Sequence, residues 1–392
     1  MFSKLKVATA LSALAIFAAA PTAGAQVPAL PTSPVTLNIV DVAGNLALTQ
    51  SAIEAYRDKN PKLVSKITFT KATAPELPGK LKAMQGAGRS DIDLVLTGTD
   101  ALAAGIDQKL WIPILPQYAS KFPGLMGNYL PAAAKMQGLA ENDALIVTFM
   151  PAGPLVEYNP DKVKNPPTTP AELLAWCKAN PNRLIYARPA NSGPGRTFIM
   201  GLPYILGDKD PKDPVHGWDK TWAYLEQLNS CIEYYPTGTG AVMKELGEGS
   251  RDITLTMTGW DLNPRIMGIV PKSYKVVPFK GMTWVNDAHY MAIPKGVEPA
   301  KIAVVLDLMK YLLTPEAQAR TYDKGYFYPG PAVKDVPLSM APKESQDAIN
   351  EFGRPEYDAW IKEFPHTQSL PPQAQVDAFR IWDEKVGAKI KK

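Results

Sequence analysis

The chain has 392 residues, among them 38 prolines and two cysteines, and a formal net charge of +4. That near-balance excludes a dedicated nucleic-acid binder, which carries a strong basic excess, and the length suffices for two cored lobes. Beyond residue 25 no stretch approaches the roughly 20 apolar residues that cross a bilayer.

Residues 1–25 read as an export signal rather than as fold. Lys4 and Lys6 form a positive start, Val7–Ala20 is an uncharged and mostly apolar run, and Ala23-Gly24-Ala25 offers small residues for cleavage after Ala25. No cysteine lies near that cut, so no lipid anchor is suggested, and the expected destination in a Gram-negative cell is the periplasm. In that oxidising compartment Cys177 and Cys231 are expected to form one disulfide. On the chain-entropy model it would contribute roughly 4 kcal/mol. Neither cysteine lies in a CxxC or near histidines at metal-ligand spacing, so redox and zinc roles are not supported.

The proline-rich residues 26–34 read as a lead-in. Thr36–Val42 is expected as a strand, broken by Gly44-Asn45, and Leu48, Ala52, Ala55 and Tyr56 mark a helix ending before Asn60-Pro61. A strand over Lys66–Thr70, a helix around Leu77–Met84 and a strand over Asp93–Leu96 follow, and Thr97-Gly98-Thr99-Asp100 opens the next helix. Such β-α-β-α-β alternation implies a mostly parallel sheet with helices on both faces. Ala144–Phe149 is a further strand, Thr168-Thr169-Pro170 starts a helix over Ala171–Lys178, and strands are expected at Leu184–Ala187, Ile253–Met257 and Ala288–Ile293. Proline stands at about twice its usual share. It is spread between the periodic segments, which predicts rigid turns rather than a disordered tract. In Pro294–Gly330, Ile302, Val305, Leu306, Met309, Leu312 and Leu313 share one helical face. Thr314 is placed to cap a second helix whose first turn holds Pro315.

There is no G-x-S-x-G, H-E-x-x-H or S-x-x-K pattern in a suitable context. Gly193-Pro194-Gly195-Arg196-Thr197 is similar to a phosphate loop only at its end, and His216, His289 and His366 stand far apart. No enzyme, metal or cofactor is therefore expected.

Binding features are better placed. In open α/β lobes ligands gather at the carboxyl ends of strands, beside helix N-termini with free N–H groups. Asn45 follows the first strand, Thr97 and Thr99 flank Gly98 after the third, and Asn191, Ser192, Gly193, Arg196 and Thr197 follow a second-lobe strand. Plain N-capping is the alternative role for Asn45, Thr97 and Thr99. Arg196 would favour an anionic ligand group through bidentate hydrogen bonds, or else pair with an acid of its own lobe. Thr258-Gly259-Trp260-Asp261 and Trp284-Val285-Asn286-Asp287 each set a carboxylate near an indole. That combination is a seat for an amine, with a cation–π contribution of about 0.5–2 kcal/mol.

The ordered run Pro294–Gly330 resembles the C-terminal signature of the extracellular solute-binding proteins that serve ABC importers. Asp91–Pro116 and Tyr158-Asn159 also resemble that family's patterns. The two Trp–Asp stretches resemble hinge-proximal loops of its spermidine/putrescine-binding branch, and a thiamine-like solute is a related possibility. The resemblance implies a type II periplasmic-binding-protein fold: two α/β lobes joined by crossing strands, with a solute between them. Residues 36–147 plus 288–335 would form lobe 1, 148–287 lobe 2, and 336–392 a C-terminal helical segment packed on both. It further implies a monomer that closes on a small-molecule solute and presents it to the transmembrane subunits of an ABC permease. Polarity is left open, because Arg196 suggests an anionic group and Asp261 and Asp287 an amine.

Overall fold

Two sheets organise the molecule, seen here in a computed structural model that describes residues 26–389. The export signal read at 1–25 lies outside the described residues. Eleven strands follow in chain order: β1 Val35–Asp41, β2 Val64–Lys71, β3 Leu94–Thr97, β4 Ala144–Gly153, β5 Leu155–Tyr158, β6 Leu184–Ile185, β7 Ile253–Thr256, β8 Lys275–Pro278, β9 Trp284–Ala292, β10 Gly330–Pro331 and β11 His366–Gln368. The first sheet has the order β10-β4-β9-β3-β1-β2, with β11 added beside β9, and the second has the order β6-β7-β5-β8.

The expected β-α-β-α-β start is present. β1 pairs in parallel with β2 and with β3, and helices Leu46–Lys59 and Leu77–Gly86 make the connections. β3 is buried along its whole length, as suits a strand covered on both faces. β4 and β9 run antiparallel to each other over most of their length. The chain leaves the first sheet along β4, builds the second lobe, and returns along β9. Two lobes with an interlobe cleft, joined by crossing strands, are thus the architecture.

Apolar periodicity accounts for the first-lobe core. Ile302, Val305, Leu306, Met309, Leu312 and Leu313 are all buried in it. The Thr314 hydroxyl accepts the Ala317 N–H as a cap. Gln318, one turn on, is fully buried and donates to the carbonyls of Val147 and Leu312, each at 2.8 Å, while accepting the Ala332 N–H at 2.7 Å. This one amide ties the short helix Pro315–Ala319 to a crossing strand and to the β10 exit.

Cys177, in helix Pro170–Ala179, is joined to Cys231, just past helix Asp219–Leu228. Three expectations need correction. Trp284–Asp287 is not a loop but the opening of β9, because β4 pairs with it on one side and β11 on the other. Thr258–Asp261 is the first turn of helix Thr258–Ile266. The C-terminal segment is not only helical, since it contributes β11 to the first sheet.

Candidate functional site

A cleft of about 240 Å³ opens between the lobes. The first lobe supplies Val42, Ala43, Gly44, Gly98, Asp100 and the Tyr326-Phe327 turn. The second supplies Asn191–Gly193, Arg196, Gly238, Thr239, Met257 and Trp260, and Asp287 and His289 reach in from the crossing strand β9. Its walls are largely the starts of helices: those beginning at Thr99, Gly193, Thr239 and Thr258 all open onto it. The first-turn N–H groups of a helix have no acceptor within that helix, so the helices beginning at Thr239 and Thr258, whose starts have no side-chain cap, offer donors to the cleft.

Arg196 lies at the centre. Its guanidinium is 2.9 Å from the Asp100 carboxylate and 2.7 Å from that of Asp287, and the residue is only 3% exposed. Burial alone would lower its pKa, but the two carboxylates outweigh burial and keep the guanidinium charged. Two carboxylates face one guanidinium, so the trio carries surplus negative charge. The expected alternative of a salt bridge within one lobe is not what forms: Asp100 belongs to the opposite lobe and Asp287 to the crossing strand.

The second-lobe wall has the opposite character. The Ser192 hydroxyl caps the Gly195 N–H at 3.1 Å and lies 2.7 Å from the Thr239 hydroxyl, joining the starts of helices Gly193–Leu206 and Thr239–Gly247. Neither helix has an acid in its first turn. Gly195 is required by close approach, since a Cβ there would run into the backbone carbonyl oxygen of Ala187. The Asn191 amide donates to the Thr237 carbonyl at 2.9 Å.

His289 is the second centre. Its Nδ1 lies 3.0 Å from the Asn45 side-chain nitrogen. The Asn45 oxygen accepts the Thr49 hydroxyl at 2.8 Å, so the amide nitrogen faces the ring. An amide nitrogen only donates, so Nδ1 accepts and Nε2 carries the proton. Burial pushes the pKa of His289 down to about 3, with Arg196 adding to the effect and Asp100 opposing it. The imidazole is therefore a neutral donor at the cleft, packed on Phe327 at 4.0 Å between ring centres. Trp260 and Tyr326 meet edge to face at 5.4 Å on the cleft rim.

Of the residues expected at the site, Asn191, Ser192, Gly193, Arg196, Trp260 and Asp287 line the cleft. Asn45, Thr97, Thr99, Thr197, Asp261 and Trp284 do not. Asn45 lies behind His289 and positions it. Thr97 is buried at the end of β3, its hydroxyl directed to the Gly98 carbonyl at 3.1 Å. Thr197 spends its hydroxyl on the Gly193 carbonyl at 2.7 Å. Trp284 is buried and donates to the Trp360 carbonyl at 3.0 Å.

Asp261 corrects the amine seat most clearly. It is fully buried and salt-bridged to Arg265 at 3.0 Å and Arg354 at 2.6 Å, and it accepts the Tyr357 hydroxyl at 2.6 Å. Burial alone would raise its pKa, but the arginines hold the carboxyl below its usual range. Asp261 anchors the C-terminal segment, so no carboxylate stands beside Trp260 from its own helix turn.

Sequence reasoning missed Asp100, His289, Tyr326, Phe327, Met257 and Thr239. For His289 a signal existed: it stands two residues from Asp287 in a strand, hence on the same face. Asp100 sits in the first turn of the helix after β3, where a carboxylate is favoured at a helix start.

The comparisons with known proteins agree with this architecture. The family described as bacterial extracellular solute-binding protein matches residues 51–350. Protein YnjB of Escherichia coli (strain K12) is 27% identical over 206 residues, 49% of this chain, and the chain spans only 50% of the length of that relative. A periplasmic thiamin binding protein superposes with a TM-score of 0.64 at 14% identity, covering 93% of this chain and 100% of the other. The apo ferric ion-binding protein A of Pasteurella haemolytica gives 0.64 at 14% identity over 91% and 99%. The periplasmic binding protein AfuA of Actinobacillus pleuropneumoniae, with exogenous fructose-6-phosphate bound, gives 0.62 at 15% over 90% and 98%. At such identities these likenesses speak for the fold alone, whereas the family match covers most of the chain. The chain belongs to the bacterial extracellular solute-binding protein family.

Proposed function

We propose that this protein is the periplasmic solute-binding component of an ABC importer. It captures one small polar organic solute between its lobes and presents the closed form to the membrane permease. The observation that carries this reading is the cleft itself: both lobes line it, and Arg196 reaches from one lobe to Asp100 of the other. A solute filling that space touches both walls at once, so binding energy is available only when the lobes are together. This is how a hinge-closing protein couples occupancy to shape.

The walls favour a solute with two kinds of group. Asp100 and Asp287 bring surplus negative charge and suit a donor-rich or cationic part. The acid-free starts of the helices at Gly193 and Thr239, with the neutral His289 donor, suit an acceptor-rich part. A zwitterionic or nitrogen-containing aromatic solute fits both, and a simple polyamine would leave the second-lobe donors without acceptors.

Mass spectrometry of the solute released on denaturing freshly purified protein, followed by calorimetry with that compound, tests the reading. One solute per chain is expected, with stabilisation growing as RT ln(1 + [L]/Kd), about 2.7 kcal/mol at a hundredfold excess over Kd. Turnover of a compound without a stable complex would replace the transport reading with an enzymatic one.

A further inference from the structure

The chain beyond the family match turns back over both lobes. Residues past 350 lie outside the matched span and include helix Pro372–Lys385. The contacts of this helix with the two lobes differ in kind.

Against the second lobe it is held by polar and aromatic contacts. The Trp382 indole donates to the Tyr186 hydroxyl at 3.2 Å, its ring lies edge-on to Tyr235 at 4.9 Å, and Asp383 pairs with Arg188 at 2.9 Å. Ala378, Ile381 and Val386 belong to the second-lobe core. Against the first lobe it packs along helix Thr99–Asp107, its most extensive contact with any other helix, yet among the described residues no hydrogen bond or ion pair joins these two helices. A void of about 10 Å³ remains between Thr99, Leu102 and Ala103 on one side and Leu370 and Pro372 on the other. The Thr99 hydroxyl and both polar atoms of the Gln375 side chain are buried without a partner. Two of the four described residues with such stranded atoms thus sit on this one helix pair. Burying a polar group without a hydrogen bond costs free energy that water would restore.

We propose that helix Pro372–Lys385 is a strap that travels with the second lobe and parts from helix Thr99–Asp107 when the cleft opens, the stranded groups of Thr99 and Gln375 setting how far the empty cleft rests open. The proposal rests on the reading that the lobes move. The helix flanks the cleft on both sides: helix Thr99–Asp107 carries Asp100 in its first turn, and Arg188 immediately precedes the turn that ends at Asn191. Opening must therefore break one of its two contacts, and the first-lobe contact is the one without polar bonds.

Distances between paired spin labels in the solute-free, full-length protein test this. The native disulfide leaves no free thiol to interfere. One pair at Gln108 and Gln373 spans the parting contact, a second at Gln227 and Arg380 spans the retained one, and a third at Lys80 and Lys244 reports the lobes. The expected result is a short and a long population for the first and third pairs and a single one for the second. Gln375→Leu should lower the long population of the first pair at least threefold, and Thr99→Val, which is isosteric, should act in the same direction. If the lobes show two populations while Gln108–Gln373 stays single, the strap is overturned and the lobe motion stands. If the lobe pair is also single, the motion itself fails and the strap with it. Unchanged populations in both variants would overturn the role of the stranded groups.

Discussion

Arg196 and Asp100 meet across the cleft, a guanidinium of one lobe 2.9 Å from a carboxylate of the other, with Asp287 of the crossing strand completing the trio at 2.7 Å. Their sequence separation of 96 residues hides this relationship. It makes one arginine both a wall of the cleft and a link between the lobes.

Removing Arg196 strands a buried carboxylate. Breaking one side of a buried ion pair typically costs about 3–5 kcal/mol, and Arg196→Ala is expected to lose an amount in that range in urea unfolding. Asp100→Asn leaves the Asp287 pair intact and should cost about 1 kcal/mol, near the worth of a single net hydrogen bond. It should also enlarge the radius of gyration of the solute-free protein in X-ray scattering, because the interlobe link is the part removed. A loss below 1 kcal/mol for Arg196→Ala would show that the trio contributes little to the folded state.

His289 should remain uncharged wherever the protein works. Its folded pKa of about 3 lies below the ordinary value of 6.5. The stability it contributes is thus fully present above pH 6.5 and is lost as pH falls towards 3. Long-range nitrogen NMR should show a single Nε2–H tautomer from pH 5 to 8. Asn45→Asp should reverse this, because a carboxylate accepts from Nδ1 and favours the imidazolium. A wild-type ring that titrates near 6.5 would contradict the burial argument.

Asp261 is expected to matter for stability and not for solute recognition. Asp261→Asn leaves Arg265 and Arg354 without their anion and should destabilise by about 3–5 kcal/mol, with affinity for the co-purified solute changed less than threefold by calorimetry. Because its folded pKa is lowered, its stabilisation is present above the usual carboxylate range and is lost as pH drops through the folded value. Loss of solute binding with unchanged stability would restore the amine seat.

The Cys177–Cys231 bridge closes a separation of 54 residues. Replacing both cysteines by alanine should lower stability by roughly 4 kcal/mol on the chain-entropy model. The variant should then match the reduced wild type in a denaturant titration. Equal stability of the oxidised and reduced wild type would show that the bridge acts on neither state.

Particular elements show what was legible beforehand. The helix over Pro299–Leu312 follows from its apolar spacing, and the Thr314 cap and Pro315 start follow from local backbone chemistry, so both were readable. Six of the twelve expected ligand-contacting residues line the cleft, mainly those in the glycine loop before helix Gly193–Leu206, where a tight backbone turn at a strand end leaves few other arrangements. The Trp284–Asp287 stretch misled because β11, its pairing partner, lies some 80 residues away and carries only three strand residues.

By itself the sequence determined the class of fold, because strand and helix periods, caps and breakers act over a few residues and survive any change in distant contacts. The expectation of two lobes joined by crossing strands came from the resemblance to the solute-binding family and not from periodicity. What only the tertiary structure decided is the use of each charge. Asp261 and Asp287 look alike in sequence, each within three residues of a tryptophan. Asp287 faces the cleft because it lies on one face of a strand beside Arg196. Asp261 is withdrawn into the core because Arg354 and Tyr357, more than 90 residues later, fold back to claim it. A carboxylate goes where a cation and hydrogen bonds can offset its burial, and those partners are assembled by packing rather than by spacing along the chain.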